Sequence, residues 1–346
     1  MHIDIKNLRD VEVEKEIPFE ELALIIEDAV VRAYIKHITP IPNDVDYKPT
    51  AVKLEDEKGR PRARVGLDRK TGDITIFAPV YNDEDERTGE EVVDSSDFGY
   101  IAVAEAKRVL FQSIRALDDE KILGEFSHKK GDLISGVIQQ SSNAKMIHVL
   151  IGKNLEAVMP SPEQVAGEDY THGKRIRVVI TDVKKGMKGP SITVSRHHPD
   201  LVRRLFELEV PEIGQGLVKV AAISRHQGHR TKIAVFSTEP GFNAKGAFIG
   251  ELGARVRNVS KELGDEKIDI VDYSPDIAEF VAHALSPAKV TKAVLVDASI
   301  NAVRAFVPEY QLSLAIGKDG QNARLAAMLT RAKIDVKSDA LMDELL

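Results

Sequence analysis

The sequence predicts a multidomain α+β protein, with an N-terminal α/β domain, a five-stranded β-barrel and one helix-and-strand module present twice. Three observations carry that prediction. The stretch Ile316-Gly317-Lys318-Asp319-Gly320-Gln321-Asn322-Ala323-Arg324 has an upstream counterpart in Ile249-Gly250-Glu251-Leu252-Gly253-Ala254-Arg255-Val256-Arg257. Between residues 126 and 196, five short apolar runs alternate with Gly, Asn, Asp, Ser and Pro turns. Ahead of these, two helix-period segments flank a hairpin pattern.

The N-terminal domain opens with an amphipathic helix over residues 18–37. Phe19, Leu22, Ile26, Ala29 or Val30 and Ala33 fall on one stripe, with Glu20, Glu21, Glu27 and Asp28 opposite. Glu20 and Glu21 in its first turn suit the helix dipole. Residues 39–62 hold four prolines among charges and read as a loop. Residues 64–67 and 73–77 then form a hairpin around Asp68-Arg69-Lys70-Thr71-Gly72, with the glycine relieving the turn. The acidic stretch 82–97 reads as a second exposed loop. Residues 99–123 read as a long helix whose apolar face is Ile101, Ala104, Val109, Phe111, Ile114 and Leu117.

The five barrel strands are expected over residues 133–138, 146–151, 155–159, 175–181 and 191–194. Their number and spacing, opening on Lys130-Gly131-Asp132-Leu133 and closing on Ile192-Thr193-Val194-Ser195-Arg196, resemble the S-one motif, an OB-fold barrel. Gly186-Met187-Lys188-Gly189, with Lys184 and Lys185 beside it, becomes the last hairpin turn. Such barrels stack bases on exposed aromatics. This copy offers only Phe126, His128 and His148, which implies weak RNA binding or a spacer role.

The duplicated module follows. A Gly-x-x-Gly pair alone is a weak signal, since 23 glycines in 346 residues give about one or two by chance and three occur. The flanks of two of them lift them above chance. Each follows an apolar run (Ala247-Phe248-Ile249; Leu314-Ala315-Ile316), precedes a basic helix-prone run, and leads to the same short strand at residues 267–270 and 333–336. Upstream of each lie a helical segment (201–210; 277–285), a proline (Pro211; Pro287) and two alternating runs (218–223 and 232–236; 293–296 and 302–307). The glycine pairs are 67 residues apart, the size of one supersecondary unit.

The order helix, strand, strand, helix, Gly-x-x-Gly, helix, strand resembles the type II KH module, whose glycine loop clamps single-stranded RNA. The chemistry is sensible without the name. A glycine-flanked turn ahead of a helix leaves amides unpaired and removes side-chain bulk, so a phosphodiester can come close to the backbone. The candidate RNA contacts in the first copy are Gly250, Glu251, Leu252 and Gly253, backed by Arg255 and Arg257. In the second they are Gly317, Lys318, Asp319 and Gly320, backed by Asn322 and Arg324. Residues 225–232 read as a turn between two strands and add Arg225, His229, Arg230 and Lys232, with Lys245 from the helix before the first loop. Glu251 and Asp319 repel phosphate unless they point to solvent or read a base donor.

Neither the junction at Arg196-His197-His198-Pro199 nor that at residues 272–275 contains a Gly/Ser linker, which predicts packed, mutually fixed domains. The boundaries are set at residues 1–121, 122–198, 199–275 and 276–346. The net charge of −7 is unevenly spread. Residues 1–100 carry 14 Lys and Arg against 24 Asp and Glu, whereas residues 101–260 carry 24 against 17, so the two parts face different partners. Zero cysteine excludes disulfides and thiolate zinc sites and fits a reducing cytoplasm. No apolar run near 18 residues and no leader pattern is present, so neither a membrane span nor a signal peptide is expected.

No catalytic site assembles, and no cofactor is expected. Each Gly-Lys pair (Gly152-Lys153-Asn154, Gly173-Lys174-Arg175, Gly317-Lys318-Asp319) lacks the following Ser or Thr of a phosphate-binding loop. His197-His198 and His226-Gln227-Gly228-His229 lack a Glu at ligand or base spacing, so no metal site is expected either.

Taken together, the module order and the run Ala315 through Ala326 resemble the NusA family of bacterial transcription factors over essentially the whole chain. The resemblance implies a non-enzymatic RNA-binding protein whose residues 1–121 dock on RNA polymerase. The barrel and KH modules would hold emerging single-stranded transcript, including ribosomal RNA leader, and act with other antitermination factors on pausing, termination and antitermination. It further implies a cytoplasmic monomer. The insertion at residues 39–60 departs from the usual pattern, and the chain reaches Leu346 without the acidic C-terminal repeats of some relatives. An RNA clamp, or an accessory subunit of a ribosome-associated or RNA-degrading assembly, is the alternative reading.

Overall fold

The computed structural model describes residues 2–15, 17–38, 54–56, 59–84, 86–93, 100–140, 145–152, 155–186 and 189–342. Most of the proline-rich stretch 39–62 and the centre of the 186–189 turn lie outside the described residues. The chain forms two compact units, residues 1–125 with 185–190, and residues 126–184 with 191–346.

In the first unit, α1 (Ile5–Lys15) precedes α2 (Phe19–Ile38), whose buried residues Leu22, Ile26, Ala29, Val30 and Ala33 form the expected stripe. The stripe packs on a sheet of β1 (Arg64–Leu67), β2 (Ile74–Tyr81) and β3 (Arg87–Val92) through Val65, Leu67, Ile74 and Ile76. Strands β1 and β2 form the expected hairpin, with Arg64 opposite Phe77. Gly72 has φ +82°, and a Cβ there would lie 2.0 Å from the Ile3 carbonyl oxygen, so only glycine fits.

Three expectations fail in this unit. Helix α1 was not expected, because its run of charges has no apolar period. Strand β3 lies inside the acidic stretch expected to be loop. All six of its residues are exposed, so burial left no alternation to read; pairing with β2 and the Arg64–Glu90 ion pair (2.5 Å) hold it. Helix α3 (Tyr100–Ser127) is longer than expected, and Phe111, assigned to its apolar face, is 63% exposed. The side chains of Ile101 and Val109 lie outside the described residues.

In the second unit, β4 (Leu133–Gln139), β5 (Met146–Ile151), β6 (Leu155–Pro160), β7 (Arg175–Gly186) and β8 (Gly189–Ser195) close an OB-like barrel in the order β4-β5-β6-β8-β7. Inward residues at alternate positions, among them Val149, Ile151, Ala157, Met159, Val178 and Ile192, fill it.

Two KH modules follow. The first is α4 (Pro199–Glu209), α5 (Pro211–Gly214), β9 (Val218–His226), β10 (Arg230–Ser237), α6 (Ala244–Ile249), α7 (Ala254–Glu262) and β11 (Lys267–Asp272). The second is α8 (Ile277–Ala284), β12 (Lys292–Asp297), β13 (Ala302–Val307), α9 (Leu312–Ile316), α10 (Gln321–Thr330) and β14 (Lys333–Ser338). In each, the central strand runs antiparallel to its predecessor and parallel to the last strand. Pro199 and the His198 side chain start α4, and Asp276 caps α8 through the Ala278 amide at 2.9 Å.

Barrel and modules share cores. Val179 of β7 sits in one apolar cluster with Leu201, Leu205, Phe206 and Phe248 of the first module. Ala234 and Val271 of the first module lie in another with Phe280, Val281 and Leu285 of the second. Apolar clusters and polar contacts, such as Arg204 to the Gly131 carbonyl at 2.8 Å and Lys232 to the Ser286 carbonyl at 2.6 Å, cross these junctions.

Candidate nucleic-acid interface

The two glycine loops have the same backbone. Gly250 has φ, ψ of 73°, 175° and Gly317 of 78°, 170°. Leu252 and Asp319 are left-handed, at 49°, 23° and 54°, 26°. Gly253 and Gly320 follow at 76°, 20° and 72°, 13°. Three of four residues with positive φ turn the chain sharply and deliver it into α7 or α10. The closing glycines are the N-caps of those helices and bring no side chain to cap them. The amides of Ala254 and Gln321 bond the Glu251 and Lys318 carbonyls of the preceding turn, and the helix dipole at this end favours an anion.

The first glycine of each loop is required for a packing reason as well. A Cβ on Gly250 would lie 2.6 Å from Arg255 Cγ, and one on Gly317 would lie 2.8 Å from Asn322 Cβ and from its backbone nitrogen. Arg255 and Asn322 occupy equivalent positions, five residues after the first glycine, and do equivalent work. Arg255 donates to the Ala247 carbonyl at 2.7 Å, and Asn322 to the Ala315 carbonyl at 2.9 Å and the Leu285 carbonyl at 3.0 Å. Both fold back across the loop and brace it against the preceding helix. Around Gly253 and Gly320 there is more room, with Arg257 Nη1 3.2 Å from a Cβ on the former and nothing within 4 Å of one on the latter.

The candidate residues divide accordingly. Glu251, Leu252, Arg257, Lys318, Asp319 and Arg324 are exposed, Leu252 at 87%. Glu251 and Asp319 thus face solvent, the arrangement in which their repulsion of phosphate is weakest. Arg257 donates to the Leu252 carbonyl, while Lys318 and Arg324 carry no ion pair among the described residues. Arg255 is committed to Glu212 at 3.0 Å; burial pushes the Glu212 carboxyl up, but hydrogen bonds from its own amide and Arg255 bring it below the usual range. Lys245, half-buried on α6, lies 4.0 Å from Asp272.

Three candidates from the expected turn need correction. Strands β9 and β10 run through most of residues 225–232, leaving a turn of Gln227, Gly228 and His229. Arg225 is buried against Glu266 and donates to the carbonyls of Arg196, His197 and His198. Lys232 is buried, with its ammonium 3.0 Å from Asp269 and 2.6 Å from the Ser286 carbonyl. Burial lowers its pKa, against the pull of Asp269. Arg230 also pairs with Asp269, at 2.7 Å. These cations hold the protein together and are not offered to a ligand; charge in a short turn pattern gave no hint of which carboxylates would face it. Asn322 is likewise buried and structural. His229 is exposed and stacks on His226, ring centroids 4.6 Å apart.

Among the described residues, no group of His, Cys, Asp or Glu is arranged to hold a metal ion, and no helix is long and apolar enough to cross a membrane.

Residues 196–273 match the family model of a NusA-like first KH domain and residues 277–344 that of a NusA-like second KH domain. The chain is 45% identical over 346 residues to the transcription termination/antitermination protein NusA of Mycobacterium tuberculosis, covering 98% of this chain and 94% of that one. It is 41% identical to the Bacillus subtilis protein of that name, covering 96% and 90%, and 33% identical to that of Thermus thermophilus, covering 98% and 90%.

Proposed function

The chain belongs to the NusA family of transcription termination/antitermination proteins, and from that membership we propose that it binds nascent single-stranded RNA while docked on RNA polymerase. The observation that supports RNA binding most directly is the pair of loops at residues 250–253 and 317–320, alike in backbone to within a few degrees and each ahead of a helix that no side chain caps. On this reading Gly250, Glu251, Leu252, Gly253 and Arg257 line the first contact, and Gly317, Lys318, Asp319, Gly320 and Arg324 the second. The backbone approaches phosphate at both, and apolar residues beside the second loop, Leu314 and Ile316, meet bases.

The N-terminal domain, residues 1–121, carries the polymerase contact, and the barrel, the first KH module and the second span residues 122–198, 199–275 and 276–346. Its acidic balance suits a partner other than RNA. The protein works in the cytoplasm as a monomer, by binding alone, and modulates pausing, termination and antitermination with other factors.

Capture of RNA polymerase by the full chain, compared with a chain lacking residues 1–121, tests the polymerase contact. Loss of capture with RNA binding retained is expected. Equal capture by both chains would overturn the assignment, and no capture by either would leave an RNA clamp. Release of nucleoside diphosphates from RNA and phosphate would instead favour a degradative role. A crosslinking map of bound oligonucleotide should concentrate on the two loops.

A further inference from the structure

The turn between β9 and β10 of the first KH module meets the loop of the second. The Gln321 carboxamide, in the first turn of α10, donates to His226 Nδ1. Between the two lies a cleft of about 390 Å³ whose lining includes His226, His229, Lys318, Asp319, Arg324 and Met328, with the exposed Asp319 carboxylate beside the two cations. Its chemistry comes from both modules. The first supplies two exposed imidazoles stacked at 4.6 Å and 28°, a flat π surface. The second supplies Met328, 58% exposed, a polarisable apolar side chain, together with Lys318 and Arg324, which have no ion pair among the described residues.

We propose that this cleft is a composite subsite for one nucleotide of single-stranded RNA, its base lying against His226, His229 and Met328 and its phosphate beside Lys318 and Arg324. The proposal rests on the reading that the glycine loops bind RNA, and adds that the second loop is completed by histidines of the first module. A flat imidazole pair, an apolar side chain and cations in one cleft are the parts a base and a phosphodiester need together. At the first loop Arg255 is paired with Glu212, and Arg257 keeps donors beyond its bond to the Leu252 carbonyl. The surface histidines thus gain a role that neither core packing nor metal binding gives them.

The test measures binding of a fluorescent single-stranded RNA to the full chain by anisotropy across a salt series. The double variant His226→Ala/His229→Ala should bind about ten-fold more weakly, the loss of one base stack, with its log-log salt slope unchanged because no phosphate contact is removed. His226→Phe/His229→Phe, which keeps flat rings without imidazole nitrogens, should stay within about two-fold of the parent. Parental affinity in the alanine pair, an equal loss in the phenylalanine pair, or a shallower salt slope in the alanine pair would each overturn the subsite. Gly320→Asp separates the two claims. If it abolishes binding while the alanine pair binds normally, the loops bind RNA and the composite subsite is wrong; if Gly320→Asp and Gly253→Asp both bind normally, the RNA reading itself fails.

Discussion

Arg225 Nη2 lies 2.9 Å from Glu266 Oε2, with the arginine side chain 1% exposed and the glutamate 0%. Glu266 also accepts from the Gly228 amide at 2.9 Å and from the Thr231 hydroxyl, and Arg225 reaches the Arg196 carbonyl at 2.7 Å. The pair therefore ties the last residues of the barrel to the first KH sheet. Its value lies in satisfying charges that the fold has already removed from water. Glu266→Ala, which strands the guanidinium, should cost about 3–5 kcal/mol in urea unfolding, while Arg225→Met/Glu266→Leu should recover much of that loss.

The two glycines of each loop should respond differently to alanine. Gly250 and Gly317 combine positive φ with extended ψ, a region essentially restricted to glycine, and have no room for a Cβ. Gly250→Ala or Gly317→Ala should lose about 1–3 kcal/mol or more of stability. Gly320→Ala, left-handed with open space around it, should lose about 1 kcal/mol. Thermal or urea denaturation of the three variants orders them.

At Gly253 and Gly320 the larger effect should fall on binding. Aspartate there puts bulk and negative charge where phosphate must pass. Gly253→Asp/Gly320→Asp should abolish binding of single-stranded RNA in a filter assay while circular dichroism stays that of the parent.

Salt should weaken RNA binding with a log-log slope of about −0.7 per phosphate contacted. Lys318 and Arg324 have no ion pair among the described residues, whereas the cations of the first loop are engaged within the protein. Lys318→Ala/Arg324→Ala should therefore flatten the slope by about one to two contacts' worth, and Arg255→Ala by less. Titrations from low to physiological salt read both.

Lys232 gives stability an alkaline dependence. Burial lowers its pKa from the ordinary 10.5, so the unfolded chain holds this proton more tightly than the folded one. Its unfavourable contribution is fully present below the folded value and is relieved as pH rises toward 10.5. Lys232→Met removes the proton, so its thermal midpoint should gain less, or lose more, than the parent's between about pH 7 and about pH 10. Parallel curves would show that the ammonium is held equally in both states.

Barrel strands such as β5 and β6 were legible because alternate residues are buried, and burial writes alternation into the sequence; in the second module the expected run 302–307 is β13 itself. Strand β3, exposed at all six residues, carries no such record, and its pairing shows only in three dimensions. The same division holds at the site. Glycines whose backbone demands them stood out through their repeated flanks, whereas Arg225 and Lys232 looked like ligand contacts because a cation's partner, here Glu266 or Asp269, lies some forty residues away in sequence. His226 and Gln321 meet across 95 residues, a distance no local pattern spans.

The apolar cluster shared by Ala234 and Val271 with Phe280, Val281 and Leu285 makes the tandem a ruler. If the two loops bind one strand as proposed, their spacing is set when the chain folds, so the second contact costs little additional ordering once the first has formed. On that reading, a strand is chosen by how many nucleotides separate its two footholds.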